Sequence, residues 1–100
     1  MLIVLARAKV GAGSLDAARA AIADMVAASS AEEGCIAYAF AEDLLEPGAI
    51  HIVEKWQDEA ALAAHFATPH MAAFQAAMAG LDLQVIEALK YHADDGAPVM

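Results

Sequence analysis

His65 and His70 are the side chains of this 100-residue sequence best suited to move a proton near neutrality. An unperturbed imidazole titrates at about 6.5. Trp56, Tyr38, Phe40, Phe66 and Phe74 supply aromatic surface that can wall an apolar pocket. A base set among such walls could act by proton transfer away from bulk water. Each of these residues also has a plainer use. Trp56, at a strand end beside a helix cap, can serve as core, and Tyr38 as core or interface. His65 shares a helix surface with Leu62 and Phe66, where one carbonyl satisfies a neutral imidazole. His70, just after Pro69, can simply lie exposed in a first helical turn. His51 and His92 fall on strands and carry no motif.

Other chemistries are poorly served. His65 and His70 stand five apart across a helix break, not at the i, i+4 spacing that puts two imidazoles on one face, so no metal site is expected. Gly11-Ala12-Gly13 lacks the third glycine of a dinucleotide loop. The single cysteine, Cys35, reads as a buried thiol with no basic neighbour and no disulfide partner, pointing to a reducing, cytoplasmic setting. Fourteen acidic against five basic side chains give a net charge of -9, which repels phosphate backbones and excludes nucleic acid as a partner. The apolar stretch Leu62 to Phe74 is interrupted by His65, Pro69 and His70, so no membrane span is expected. The apolar start Met1 to Leu5 has no basic flank, so no secretory signal is expected either.

The elements that position these residues follow from periodicity. Leu2 to Val10 alternates as a strand, with Leu2, Val4, Ala6, Ala8 and Val10 on one face and Ile3, Leu5, Arg7 and Lys9 on the other. Gly11, Ala12 and Gly13 break it. Ser14 is placed to cap a helix on which Leu15, Ala18, Ile22, Met25 and Val26 recur through about Ala31, and Glu32-Glu33-Gly34 ends that helix. Cys35 to Asp43 alternates again, setting Ile36, Tyr38 and Phe40 against Cys35, Ala37, Ala39 and Ala41. Glu46-Pro47-Gly48 turns the chain into a third strand, Ala49 to Gln57, with Ile50, Ile52, Glu54 and Trp56 opposed to His51, Val53 and Lys55. Asp58 caps a helix. Thr68-Pro69 restarts it, because proline at a first helical position loses no hydrogen bond, and a second short helix runs to Ala79 and stops at Gly80. Leu81 to His92 is the last strand, with Leu81, Leu83, Val85, Leu89 and Tyr91 on one side.

Strand, helix, strand, strand, broken helix, strand is the split order of an α+β, ferredoxin-like βαββαβ domain with a four-stranded antiparallel sheet. The domain is expected over residues 1–92, with 93–100 as a tail. A monomer of this size buries only about 65% of its unfolded surface. Helices of this number cover one sheet face, yet both faces carry apolar side chains. A homodimer, sheet against sheet, is the expected remedy.

The blocks Glu32-Glu33-Gly34-Cys35 with Tyr38, Val53-Glu54-Lys55-Trp56, and Ala64-His65 with Thr68-Pro69-His70-Met71 resemble the signature segments of the antibiotic biosynthesis monooxygenase family, in order and spacing. Within it the chain most resembles the bacterial quinol monooxygenases, over roughly Leu2 to Lys90. The resemblance implies a dimeric α+β barrel and a monooxygenase without flavin, metal or haem, which oxidises a quinol or related electron-rich aromatic or polyketide with O2. Such chemistry requires a substrate that itself reduces oxygen, as a deprotonated phenol does. His65 or His70 would then be the base, with Trp56, Tyr38, Phe40, Phe66 and Phe74 around the substrate. Haem-degrading relatives are implied to use an asparagine on the first strand, and this chain has none. A non-catalytic aromatic-binding or stress-response module, and an isomerase or decarboxylase acting on a small metabolite, remain the alternative readings on the same scaffold.

Overall fold

Alternation between apolar and polar side chains makes β1 (Leu2–Lys9), β2 (Cys35–Glu42), β3 (Ala49–Trp56) and β4 (Gln84–His92), while the helical repeats make α1 (Ser14–Ser30), α2 (Glu59–Phe66) and α3 (Pro69–Met78). These elements are seen in a computed structural model that describes residues 1–11 and 13–100. Ala12, expected to help break the chain after β1, lies outside the described residues. The strands form one antiparallel sheet in the order β2-β3-β1-β4, the ferredoxin-like α+β arrangement. No described helix is long and apolar enough to cross a membrane.

The core lies between sheet and helices, where Leu2 and Trp56 from the central strands meet Met25 of α1, Leu62 of α2, Met71 of α3 and Tyr38 of β2. Full burial of each such side chain contributes about 1.5–3 kcal/mol. β4 stays exposed along its whole length. The helix layer therefore covers three strands and leaves the fourth bare on both faces.

Several local expectations need correction. Ser14 begins α1 and does not cap it; the N-cap is Gly13, whose positive φ of 81° turns the chain into the helix without a side-chain hydrogen bond. Ile36 does not share a face with Tyr38. The register passes from Cys35 opposite Trp56 to Ala37 opposite Lys55, so Ile36 is the extra residue of a β-bulge and lies exposed, while Cys35 packs against the core. A second bulge separates Val85 from Leu89, because Arg7 faces Glu87 and Ala8 faces Val85, skipping Ile86. β4 begins at Gln84 instead of Leu81, since Leu81 still bonds back to the Met78 carbonyl (3.0 Å) and Asp82 adopts a left-handed φ of 53°, incompatible with an extended strand. Val10, Asp43, Gln57 and Ala79, expected to end β1, β2, β3 and α3, each lie one residue past the observed end.

Candidate active site

The site is set by three junctions. Gly34 follows α1 with φ 85°, and a Cβ there would come within 2.7 Å of the Ala61 Cβ on α2. Only glycine meets both demands. Its carbonyl accepts the Gln57 amide at 2.8 Å, tying the α1–β2 turn to the β3–α2 turn and holding Glu32 over α2. Asp58 caps α2 by accepting the Ala61 amide at 2.8 Å. The helix then ends at Phe66 and restarts through Thr68, whose hydroxyl donates to the His65 carbonyl at 2.8 Å and accepts the Met71 amide at 3.2 Å. This one side chain fixes the angle between α2 and α3.

The consequence is that His65 and His70 meet on Glu32. His65 Nδ1 lies 2.6 Å and His70 Nε2 2.8 Å from the same carboxylate oxygen, Oε2. A carboxylate oxygen accepts, so each facing nitrogen donates its proton. The helix break was expected to keep the two histidines apart, but at Ala67-Thr68 it folds His70 back until the two rings are 6.1 Å apart. His65 is 1% exposed, and its Nε2 is buried with no hydrogen-bond partner among the described residues. With the proton on Nδ1, that nitrogen carries a bare lone pair. Such an atom is costly to bury unless something donates to it.

Aromatic rings surround it. Trp56 lies 4.7 Å and Tyr38 5.3 Å from the His65 ring, centroid to centroid, with Tyr38 edge-on to Trp56 at 6.3 Å. Phe40 continues the cluster from Tyr38, and Phe74 meets Phe40 edge-on at 5.8 Å. Phe66 is 5.6 Å from His65 but faces mainly outward, 62% exposed. Trp56 has no exposed surface and Tyr38 almost none, so both stand behind the site instead of lining an opening. Two clefts lie nearby, and His65 lines neither. His70, Met25 and Phe74 border a small cleft of about 140 Å³, and Met71, Phe74, Met78, Leu83 and Val85 border a wider one of about 320 Å³ along α3.

Two carboxylates that sequence reasoning did not single out complete the site. In the sequence Glu32 marks a helix end within a motif block and shows no link to the histidines. Glu54 alternates with Ile50, Ile52 and Trp56 on the core face, and a charged residue in that phase was the available signal. Its Oε1 accepts the Trp56 indole N–H at 2.9 Å. Burial pushes the Glu54 carboxyl above its ordinary value, against the lowering effect of that hydrogen bond and of His65. Burial, followed by the charge of Glu54, holds the Tyr38 hydroxyl well above the usual phenol range, which keeps it neutral. Burial and then Glu32 and Glu54 raise the Cys35 thiol, so it is no reactive thiolate. His51 sits apart on the hairpin, 2.9 Å from Asp43.

A model of the antibiotic biosynthesis monooxygenase family matches residues 1–77. The fold superposes on a Deinococcus radiodurans protein with a provisional antibiotic biosynthesis monooxygenase name, at TM-score 0.91 and 26% identity, over 100% of this chain and 99% of that one. A Bacteroides thetaiotaomicron protein of unknown function matches at TM-score 0.78 and 28% identity, over 90% and 96% of the two chains. The uncharacterized Synechocystis protein sll1783 is 44% identical over 46 residues, which is 46% of this chain and 31% of that protein. The match thus spans about a third of that curated relative's length.

Proposed function

The chain belongs to the antibiotic biosynthesis monooxygenase family, and from that premise we propose that it is a cofactor-independent monooxygenase for a quinol or similar electron-rich phenol, with His65 as the base. The observation that carries this reading is the state of His65: buried, its Nδ1 proton committed to Glu32, its Nε2 lone pair free and ringed by Trp56 and Tyr38. Glu32 fixes the tautomer and offsets the positive charge that forms when Nε2 takes a phenolic proton. The phenolate then reduces O2. A hydroquinone and O2 give a hydroxyquinone and water, so the ring supplies every electron, and the proton held by His65 returns to the departing oxygen. The cleft along α3 is about 320 Å³, a size that holds a small aromatic. Met71 and Phe74 line it while His65 does not, so a substrate there reaches His65 only when side chains between them move.

We place this activity in a homodimer formed through the uncovered sheet face. Leu5 pairs with Val53 on one side and Leu89 on the other, and Ile3 pairs with Tyr91, giving an apolar band across three strands. A cytoplasmic location accords with the unpaired cysteine.

Oxygen uptake by metal-stripped protein with a hydroquinone tests the reading. His65→Ala is expected to lower kcat by about 10²–10⁴-fold, the range for loss of a general base. His70→Ala, which leaves His65 Nε2 in place, should lower it far less. Equal rates for wild type and His65→Ala across a panel of quinols would overturn the assignment. The burial of His65 Nε2, which keeps it from a bound molecule in this conformation, favours a second reading, a module that binds an aromatic without turning it over. A ligand-dependent rise in Tm with no oxygen consumption would select that alternative.

A further inference from the structure

Glu32, His65 and His70 reach one point from three parts of the chain, and one ligand atom from each lies within 4.8 Å of the others. We propose that this cluster is a binding site for a divalent transition-metal ion of the Zn²⁺ or Co²⁺ class, and that the ion silences His65 as a base. Two imidazoles and one carboxylate are the donor set that Zn²⁺ takes at three-ligand protein sites with a fourth position open. The chain's charge of -9 favours a cation. Entry is through His70 and Glu32, whose side chains are 24% and 12% exposed, while His65 closes the inner side at 1%.

The geometry needs little adjustment. Bonds of about 2.0–2.1 Å set tetrahedral neighbours roughly 3.3 Å apart. The present separations from Glu32 Oε2 are 2.6 and 2.8 Å. The carboxylate therefore has to withdraw by about 0.5–0.7 Å, and the two imidazole nitrogens, which lie within 4.8 Å of each other, have to settle at the same spacing, rotations open to side chains at the turn beyond α1 and at the α2–α3 break.

The effect on His65 follows from proton bookkeeping. A metal binds the imidazole lone pair, so an ion on Nδ1 moves that ring's proton to Nε2. The nitrogen that accepts in the free protein becomes a donor, with no lone pair left for a substrate proton. His70 makes the corresponding change, its proton passing to Nδ1. The silencing half of the proposal rests on the oxygenase reading, whereas the site itself does not.

The full-length protein, freed of metal, is titrated with CoCl2 and followed by visible absorption and calorimetry. One Co²⁺ per chain is expected, with the d–d bands of a four- or five-coordinate ion, displaced by ZnCl2. Glu32→Gln and His70→Ala should each abolish the bands, with folding checked by circular dichroism, and His51→Ala should leave them unchanged. No stoichiometric binding, or binding that survives both substitutions, overturns the site. Saturating Zn²⁺ is expected to stop quinol-dependent oxygen uptake and EDTA to restore it. Stoichiometric Zn²⁺ with undiminished uptake overturns the silencing. Absence of uptake in the metal-free protein would count against the oxygenase reading alone, because the cobalt titration judges the site without it.

Discussion

The two faces of the sheet are built from the same strands, yet they meet different surroundings. On the helix side Trp56 and Leu2 are sealed at 0% and 1% exposure, and even a carboxylate, Glu54, is buried. On the other side Leu5, Val53, Leu89 and Tyr91 stand 38–47% exposed. Period-two alternation assigns each residue to its face, but the helices decide which face becomes an interior. The closed face can hold a desolvated base because helix junctions supply Glu32, His65 and His70. The open face has no such junctions and offers an apolar band flanked by Arg7, His51 and Lys55, the material of an interface.

The sharpest way to break this contrast is to open the closed face. Trp56→Ala is expected to cost about 3–5 kcal/mol, the range for removing a buried aromatic. It also strips Glu54 of its indole donor. Chemical denaturation should show the loss directly, and a cost below 1 kcal/mol would mean that Trp56 is a movable pocket wall. Gly34→Ala follows in size. The left-handed backbone penalises alanine by about 1–2 kcal/mol, and the approach to Ala61 adds strain. Because Gly34 holds Glu32 over α2, the same variant should lose oxygen uptake more steeply than stability, which kcat measured below the unfolding transition would reveal.

A smaller change tests the buried carboxylate. Its folded-state pKa is raised, chiefly by burial, so its contribution to stability is fully present below the unfolded value and is lost as pH rises through the folded one. At neutral pH the charged Glu54 thus burdens the fold. Glu54→Gln, whose amide oxygen can still accept from Trp56, should raise Tm by a few degrees at pH 7, with the gain shrinking as pH falls toward 4.5, the ordinary carboxyl value. An equal or lower Tm at pH 7 would show that the charge is held by His65 more strongly than burial opposes it.

Much of this contrast was legible in the residues. The alternation of Ile50, Ile52, Glu54 and Trp56 gave β3 its faces, and Asp58, Thr68 and Pro69 gave the helix starts. The bulges at Ile36 and Ile86 were not legible, because an extra residue in a ladder is fixed by pairing with another strand and leaves no local mark. The site was half legible. His65, His70, Trp56 and Tyr38 stood out by type, whereas Glu32, 33 residues before His65, becomes their partner only through the Gly34–Gln57 hydrogen bond and the Thr68 break. Such tertiary convergence has no period along the chain.

The change expected to touch the protomer least is on the open face. Leu5 lies at the centre of the apolar band, opposite Val53 on one side and Leu89 on the other, and is already 45% exposed. Leu5→Glu therefore removes little buried area within the chain, and the protomer's own stability should fall by no more than about 1 kcal/mol. In a sheet-to-sheet dimer the same carboxylate would be desolvated together with its copy across the two-fold axis, at a position whose strand partners Val53 and Leu89 are both apolar. Burial of an unpaired charge costs several kcal/mol, enough to weaken association by about 100-fold or more. Light scattering across a dilution series should find wild type dimeric and Leu5→Glu monomeric, with matching circular dichroism. A variant that unfolds would place Leu5 in a core. A variant that stays dimeric would move the interface elsewhere, with the exposed edge and helix-side surface of β4 the next place to seek it.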